Sequence, residues 1–380
     1  AIITRMATSL MQPPVWIDRY AALERLAGQL LRETQVAVDT ESNSLYAYQE
    51  QVCLIQISTA EKDYLIDPLA IDSLDPLAGV FSRPEIEKIF HAAEYDIICL
   101  KRDFGFEIRH LFDTMHASRI LGRENVGLAG ILEQEFQIEL NKQYQRANWG
   151  RRPLPPEMLA YARLDSHYLI DLRARLEAEL HQRGRWELAQ EDFCRLENTE
   201  VPPQENGNAV WRIPGAHDLN AAQLTVLKSL VQYRDQQARM ANLPVFKVLS
   251  NQVLYEIARS LPQTRPALES LGMLNSRLLQ RHGDPLLQAV QRGLREPPLT
   301  RTHNQRPSDA YLTRLDALRS WRKQTAESLQ VPSDVVLPRD VLESIAQSCP
   351  SSLEELRGLM NTIPWRYQNF GSEILRIIRP

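Results

Sequence analysis

Residues 35–67 read QVAVDTESNSLYAYQEQVCLIQISTAEKDYLID, and their pattern indicates the start of a β-sheet. The apolar run Val36–Val38 is typical of a buried strand. Two more strand-like runs, VCLIQIS and DYLID, lie on either side of the polar stretch Thr59–Lys62, as in an antiparallel hairpin. Helical and strand-like segments then alternate through residue 122. An antiparallel start followed by alternating elements predicts an α/β domain with a mixed sheet.

Acidic side chains follow the predicted strands. Asp39 and Glu41 are two residues apart at the end of the first strand, so both carboxylates project from the same face. Asp96 begins a predicted helix directly after another apolar strand. Tyr161 and Asp165 are four residues apart in a segment with helical periodicity, which makes them neighbours on one helix face. All five side chains could therefore meet at one edge of the sheet.

Carboxylates that converge predict a bound cation, because repulsion would otherwise raise their pKa values and destabilise the fold. No Cys or His interrupts this set, so the ligands are all oxygen atoms, which favours Mg²⁺ or Mn²⁺ over Zn²⁺. Two such ions about 3.5–4 Å apart can cleave a phosphodiester bond. The sequence predicts a hydrolase with two divalent metal ions.

Each residue alone has an ordinary explanation, such as a solvated turn for the acidic pair or a helix first-turn acid for Asp96. Their order is more specific. The set D-x-E, then D, then Y-x3-D resembles the exonuclease motifs of the DEDD superfamily in its tyrosine-bearing branch, and within that branch the ribonuclease D family. The run NKQYQRANWGRRPLPPEMLAYARLDSHYLI, residues 141–170, is similar to the catalytic core of the nuclear exosome's exonuclease subunit, which has an additional acidic residue where this chain has Leu164. The resemblance covers roughly residues 15–195.

The resemblance implies a ribonuclease-H-like fold and a 3′→5′ exoribonuclease. Its substrate would be RNA with a free 3′ end, such as a tRNA precursor or another structured RNA, and its products nucleoside 5′-phosphates. A DNA-directed 3′→5′ exonuclease is the alternative enzyme, because the same five residues serve proofreading nucleases. A non-catalytic RNA-binding scaffold is the alternative from another class, although a scaffold has no physical need for five such groups in one place.

We assign a role to each of the five residues. Asp39 is the ligand shared by both ions, Glu41 and Asp165 complete the ion on the nucleophile side, and Asp96 holds the ion on the leaving side. A phenol with a reference pKa of about 10 is a poor base at neutral pH, so Tyr161 is expected to orient the attacking water by a hydrogen bond.

The segment NKQYQRANWGRR, residues 141–152, interleaves basic and aromatic residues ahead of the catalytic helix. Such a segment can neutralise phosphates and stack on unpaired bases, or it can be a basic surface loop whose aromatic rings pack on the sheet. The family resemblance favours substrate contact. The residues assigned to substrate binding are Lys142, Tyr144, Arg146, Trp149, Arg152 and, at a strand end near Asp96, His91. His167 is expected to be structural, because it lies off the helix face of Asp165.

An internal repeat with an offset of 88 residues fills the C-terminal half. Its matches have helical spacing and include Arg234, Pro244 and Leu249, which correspond to Arg322, Pro332 and Leu337. Both copies resemble the HRDC domain, an accessory substrate-binding module in this family, and a generic protein-interaction bundle is the alternative. With linkers at 198–216 and 295–310, the predicted domains are an exonuclease domain (1–198) and two small all-α HRDC bundles (217–295 and 308–380).

Composition is consistent with an RNA-binding protein of the cytoplasm. The net charge of −4 divides into +6 for residues 217–380 and −10 for residues 1–216, and a basic half favours phosphate contact. The four cysteines are far apart without a C-x-x-C pair, as expected in a reducing compartment. No apolar run reaches membrane-spanning length and no signal-peptide pattern is present, so we expect a cytoplasmic protein without membrane contact. The family suggests a monomer.

Overall fold

The computed structural model describes residues 12–203, 209–299 and 307–379, which form two compact units. The first unit contains residues 12–42, 52–201 and 307–379, and the second contains residues 43–51, 202–203 and 209–299. Residues 1–11 of the predicted exonuclease domain, and residues 204–208 and 300–306 of the predicted linkers, lie outside the described residues.

The first unit is built around one six-stranded sheet with the order β1-β4-β3-β2-β5-β6. Its strands are β1 (Val15–Ile17), β2 (Gln35–Ser42), β3 (Val52–Ser58), β4 (Asp63–Ile66), β5 (Glu87–Phe90) and β6 (Leu111–Asp113). The pairs β2–β3 and β3–β4 are antiparallel, whereas β1–β4, β2–β5 and β5–β6 are parallel. The predicted mixed sheet is confirmed, and the short edge strand β1 is an addition to it.

Eight helices accompany this sheet in the described part of residues 12–201. They are α1 (Tyr20–Leu30), α2 (Asp75–Ser82), α3 (Glu94–Phe104), α4 (Thr114–Ile120), α5 (Leu128–Phe136), α6 (Pro156–His167), α7 (Leu169–Gln182) and α8 (Trp186–Glu197). The spacing of apolar residues explains how they pack: α1, for example, buries Leu23, Leu26, Ala27 and Leu30 on one face. Strand β3 is buried along its whole length, because helices and neighbouring strands cover it on every side.

The repeat in the sequence is confirmed helix by helix. Repeat 1 (residues 221–295) consists of α9 (Ala221–Ala241), α10 (Val245–Val248), α11 (Asn251–Ser260), α12 (Arg265–Glu269) and α13 (Ser276–Arg295). Repeat 2 (residues 309–378) consists of α14 (Asp309–Leu329), α15 (Ser333–Val336), α16 (Arg339–Ser348), α17 (Leu353–Leu359) and α18 (Pro364–Ile378). Every helix of repeat 2 begins 88 residues after its counterpart.

The two repeats belong to different units. Repeat 2 lies in the first unit, where Val335 joins the hydrophobic core of the sheet and its helices. Repeat 1 lies in the second unit together with residues 43–51, and Tyr48 of that segment packs on the core of repeat 1. Among the described residues, no helix has the length and apolar character needed to cross a membrane.

Candidate active site

Three predicted ligands converge at the C-terminal end of strand β2. Asp39 and Glu41 come from β2 and Asp165 from helix α6, and one carboxylate oxygen of each lies within 4.8 Å of the other two. The strand supplies two side chains on one face because residues two apart project together. Helix α6 packs across β2, β3 and β4 and so brings the third carboxylate to the same place.

Asp96 lies beside this group in the first turn of helix α3. Thr40, between Asp39 and Glu41, donates a hydrogen bond from Oγ1 to Oδ1 of Asp96 at 2.5 Å. Before the helix, Ala92 has a φ of 64°, a left-handed conformation that a residue with a Cβ rarely adopts. This turn directs the chain from β5 into α3 and thereby places Asp96 at the site.

Desolvation and mutual repulsion dominate the electrostatics of the four carboxylates. Desolvation raises the pKa of Asp39 well above its usual value, and the charges of Asp96, Asp165 and Glu41 raise it further. The pKa of Glu41 is raised by the same causes. Desolvation also raises the pKa of Asp96 to about 7 and that of Asp165 to about 7. None of the principal causes of these four pKa shifts is a basic side chain, and within the described residues no Lys, Arg or His forms an ion pair with any of the four carboxylates.

This donor set fits a hard divalent cation. The ligands are carboxylate oxygens only, and their repulsion is relieved when a positive charge lies between them. Two independent features of the same residues, convergence and the lack of a basic partner in the described chain, therefore agree on a metal centre.

Tyr161 lies one turn before Asp165 on α6 and lines the same cleft. Desolvation raises the pKa of its phenol, and the charges of Asp165, Glu41 and Asp39 raise it further, so the hydroxyl stays protonated at any physiological pH. A protonated phenol donates a hydrogen bond and cannot accept the proton of a water molecule. The raised pKa thus opposes a role as base, while the retained hydroxyl hydrogen is available to donate a hydrogen bond.

The carboxylates open into a cleft of about 590 Å³. His91 and Lys142, both assigned to substrate binding from the sequence, line this cleft. His91 is held by a 2.9 Å hydrogen bond between Nδ1 and the Thr114 hydroxyl, and burial lowers its pKa. Tyr144 is half-buried with its ring edge-on to Tyr161, at a centroid distance of 5.8 Å.

The other three residues assigned to substrate binding, Arg146, Trp149 and Arg152, do not line the cleft. Arg146 is exposed and lies outside the lining of the cleft. The assignment of Trp149 as a stacking platform is wrong, because its side chain is 1% exposed and packs with Leu54 and Leu65. A tryptophan enclosed on both faces offers no surface to a base.

Arg152, also assigned to substrate binding, does not line the cleft and is held by the protein itself. Its guanidinium forms a 2.6 Å ion pair with Asp67 and donates to the carbonyl oxygens of Trp149 and Cys53, both at 2.7 Å. All of these partners belong to the protein, so the cation holds the segment before α6 onto the sheet. Within residues 141–152, Lys142 and Arg146 are thus exposed, whereas Trp149 and Arg152 attach the segment to the rest of the protein.

Two polar residues at the site were missed from the sequence, Thr40 and Gln56. Gln56 lies directly opposite Asp39 in the β2–β3 register and donates from Nε2 to Oδ2 of Asp39 at 3.1 Å. The available signal was an amide in the middle of the otherwise apolar run VCLIQIS. Such a residue in a buried strand requires a polar partner.

Helix α6 is fastened to the hairpin by a second, separate polar group. Asp63 of β4 forms a 2.6 Å ion pair with Arg163 and a 2.9 Å contact with Nδ1 of His167. The Ser58 hydroxyl bonds both Asp63 and Ser166, each at 2.8 Å. These contacts lie on the side of α6 away from Asp165, in agreement with a structural role for His167.

Comparison with known proteins gives consistent matches over most of the chain. Residues 14–181 match the 3′-5′ exonuclease family model, and residues 223–290 and 312–378 match the HRDC domain model. The structure is similar to the catalytic core of RRP6 from Trypanosoma brucei, with 31% identity, a TM-score of 0.66, and coverage of 75% of this chain and 80% of that one.

Two further relatives extend the match. Escherichia coli RNase D, an exoribonuclease involved in structured RNA processing, is 25% identical with a TM-score of 0.71, over 95% of this chain and 99% of that one. The exosome complex exonuclease RRP6 of Saccharomyces cerevisiae is 30% identical over 90% of this chain and 48% of its own length. The chain spans about half the length, or less, of the curated relatives it matches.

Proposed function

This chain belongs to the family of 3′-5′ exonucleases with HRDC domains that includes ribonuclease D and RRP6, and we propose that it is an exoribonuclease acting on RNA with a free 3′ end. The products would be nucleoside 5′-phosphates. The observation that carries the proposal is the convergence of Asp39, Glu41 and Asp165, with Asp96 beside them and no basic partner in the described chain. A binding scaffold would gain nothing from this uncompensated charge.

Asp39, Glu41, Asp96 and Asp165 would hold two divalent ions, Mg²⁺ or Mn²⁺. When bound, such ions lower the pKa of an attacking water and neutralise charge on the phosphate and the leaving oxygen. Tyr161 would donate its hydroxyl hydrogen to fix the position of that water. Lys142, on the wall of the cleft, would neutralise a phosphate of the incoming strand.

We infer that the substrates are structured RNAs such as tRNA precursors. Support comes from the two HRDC bundles, from the net positive charge of residues 217–380, and from the substrate class of the E. coli relative. None of the four cysteines forms a disulfide bond, which suits the reducing cytoplasm we propose for this protein. A monomer, without membrane contact, is the simplest form compatible with these features.

The direct test replaces Asp39 by Asn and measures hydrolysis of matched RNA and DNA oligonucleotides in Mg²⁺ or Mn²⁺. We expect a loss of about a hundredfold or more, because removing the central carboxylate costs several kcal/mol of transition-state stabilisation. Asp72→Asn, at an exposed position outside the cleft, is the matched control. A folded Asp39→Asn protein with more than a tenth of the wild-type rate would contradict the metal assignment, and faster hydrolysis of DNA would favour the DNA-directed alternative.

Tyr161→Phe separates an orienting hydroxyl from a packing ring. If the hydroxyl orients the water, one hydrogen bond worth roughly 1.5–3 kcal/mol is lost, and kcat should fall about ten- to more than a hundredfold with little change in KM. Metal binding should persist because all four carboxylates remain. An unchanged kcat would show that Tyr161 only packs against Tyr144 and Trp149.

A further inference from the structure

We propose that Thr40 and Gln56 are positioning residues that hold Asp96 and Asp39 with uncharged hydrogen-bond donors, so that the carboxylates are oriented while their charge stays available to divalent cations. This inference rests on the proposed function and assigns roles to two residues outside the five-residue motif. It follows from a comparison within the first unit: Asp39 and Asp96 accept hydrogen bonds from uncharged side chains, whereas other buried carboxylates pair with basic side chains.

Gln56 has the geometry of a fixed support. Its side chain is fully buried in β3, and its Nε2 lies 3.1 Å from Oδ2 of Asp39 on the neighbouring strand. Its Oε1 has no hydrogen-bond partner among the described residues. A buried amide oxygen without a partner costs roughly 1–3 kcal/mol, whereas an apolar residue here would match the rest of VCLIQIS. The amide is therefore explained by what it does for Asp39.

Thr40 supports Asp96 in the same manner from the catalytic strand itself. Its Oγ1 donates to Oδ1 of Asp96 at 2.5 Å, which links β2 to the first turn of α3. A β-branched residue has few rotamers, so the hydroxyl direction is fixed by the strand backbone. Between them, Gln56 and Thr40 define the orientation of one carboxylate from β2 and one from α3.

Other buried carboxylates of the same unit are held by basic side chains instead. Asp63 is paired with Arg163 and His167, Asp67 with Arg152, and Asp113 with His116. Burial alone would raise the pKa of Asp63, but hydrogen bonds from His167 and Ser58 and the nearby positive charges lower it below its usual value. A guanidinium at the position of Gln56 would likewise neutralise Asp39 and compete with a cation. An uncharged hydrogen-bond donor orients the carboxylate without competing with a metal cation for its negative charge.

The test measures metal binding without turnover. Thr40→Val removes the hydroxyl at nearly constant volume, and Gln56→Met removes the amide at nearly constant length. Each substitution should raise the dissociation constant for Mn²⁺ by about ten- to a hundredfold. The constant is measured by calorimetric titration of the full chain without RNA. Thr40→Ser, which keeps the hydroxyl, should restore most of the affinity. Thr59→Val, which removes a hydroxyl from the β3–β4 turn, is the matched threonine control and should leave Mn²⁺ affinity unchanged.

The outcomes distinguish this inference from the proposed function. Wild-type Mn²⁺ affinity in folded Thr40→Val and Gln56→Met would overturn the positioning roles and leave the exonuclease proposal intact. A wild-type protein that binds no Mn²⁺ or Mg²⁺ would overturn both. If Gln56→Met fails to fold, Thr40→Val decides alone, because Thr40 is only half-buried and valine is well accommodated in a strand.

Discussion

Repeats 1 and 2 have the same helices at the same spacing, yet repeat 2 is part of the unit that carries the candidate active site and repeat 1 is not. Inside each repeat the same contact recurs: Arg234 donates to the Leu249 carbonyl at 3.1 Å, and Arg322 donates to the Leu337 carbonyl at 3.1 Å. These internal contacts preserve the bundle. What a bundle packs against is set by a few other positions, where the two copies have diverged.

The clearest divergence is at Arg366, whose counterpart 88 residues earlier is Leu278. Leu278 is partly exposed, whereas Arg366 is fully buried with ion pairs of 2.8 Å to both Glu191 and Asp192 of helix α8. It also donates to the Val335 carbonyl within its own repeat. Burial raises the pKa of Glu191 even though the charge of Arg366 opposes the shift. The pair therefore fixes where repeat 2 docks at a considerable desolvation cost.

The largest expected effect comes from breaking that pair. Arg366→Met leaves Glu191 buried without its partner and should destabilise the first unit by roughly 3–5 kcal/mol. Chemical denaturation would measure the loss, and hydrogen exchange should locate it in α8 and α18. The double variant Glu191→Gln with Arg366→Met should recover part of the stability, because no unpaired charge is then left at Glu191. Equal stability of Arg366→Met and wild type would mean that apolar packing alone docks repeat 2.

A smaller effect is expected from the contact that the repeats share. Arg234→Met and Arg322→Met each remove a charged hydrogen-bond donor from a backbone carbonyl, at a cost of roughly 1.5–3 kcal/mol. The loss should be larger for Arg234, which also donates to Oδ1 of Asn251 at 2.8 Å, and each loss should be confined to its own repeat, as measured by hydrogen exchange of α9 and α14. If Arg234→Met also increased exchange in repeat 2, the idea that each bundle is held by its own internal contacts would fail.

The sequence predicted those features that depend on local pattern. Short apolar runs predicted the strands of the hairpin, and the 88-residue offset predicted two helical bundles, whose helices indeed begin 88 residues apart. The convergence of Asp39, Glu41 and Asp165 could be predicted because strand periodicity places the first two on one face and the third follows on a helix near the same sheet edge. Edge strand β1 was missed, because three residues, VWI, are too few to show a period.

What could not be predicted depends on packing between distant segments. Residue type alone does not distinguish Lys142, on the wall of the cleft, from Arg152, paired with Asp67 across 85 residues of chain. The burial of Trp149 depends on Leu54 and Leu65 from the hairpin. Likewise, an arginine in a helix gives no sign that it will be enclosed against α8, as Arg366 is.

The last prediction concerns a pair of rings that differs in chemistry between the repeats. In repeat 1 the Tyr233 hydroxyl and Nδ1 of His282 are 2.7 Å apart, with ring centroids at 6.0 Å. At the equivalent positions of repeat 2, Trp321 and Phe370 meet edge to face at 5.8 Å. The packing is conserved, but only repeat 1 places a titratable group in it.

Acidification should therefore weaken repeat 1 and spare the ring pair of repeat 2. Burial lowers the pKa of His282 in the folded protein, and the charge of Arg281 lowers it further. At pH values between this lowered pKa and the pKa of about 6.5 in the unfolded chain, the unfolded state therefore binds more protons than the folded state. The stabilising contribution is complete above about pH 6.5 and is lost as pH falls through the folded pKa, with a slope of at most about 1.4 kcal/mol per pH unit for one proton. Opening free energies from hydrogen exchange, corrected for intrinsic rates between pH 7.5 and 5, should fall for α9 and α13. The double variant Tyr233→Trp with His282→Phe, which copies the pair of repeat 2, should abolish this dependence. A pH dependence that survives the double variant would assign the effect to another group.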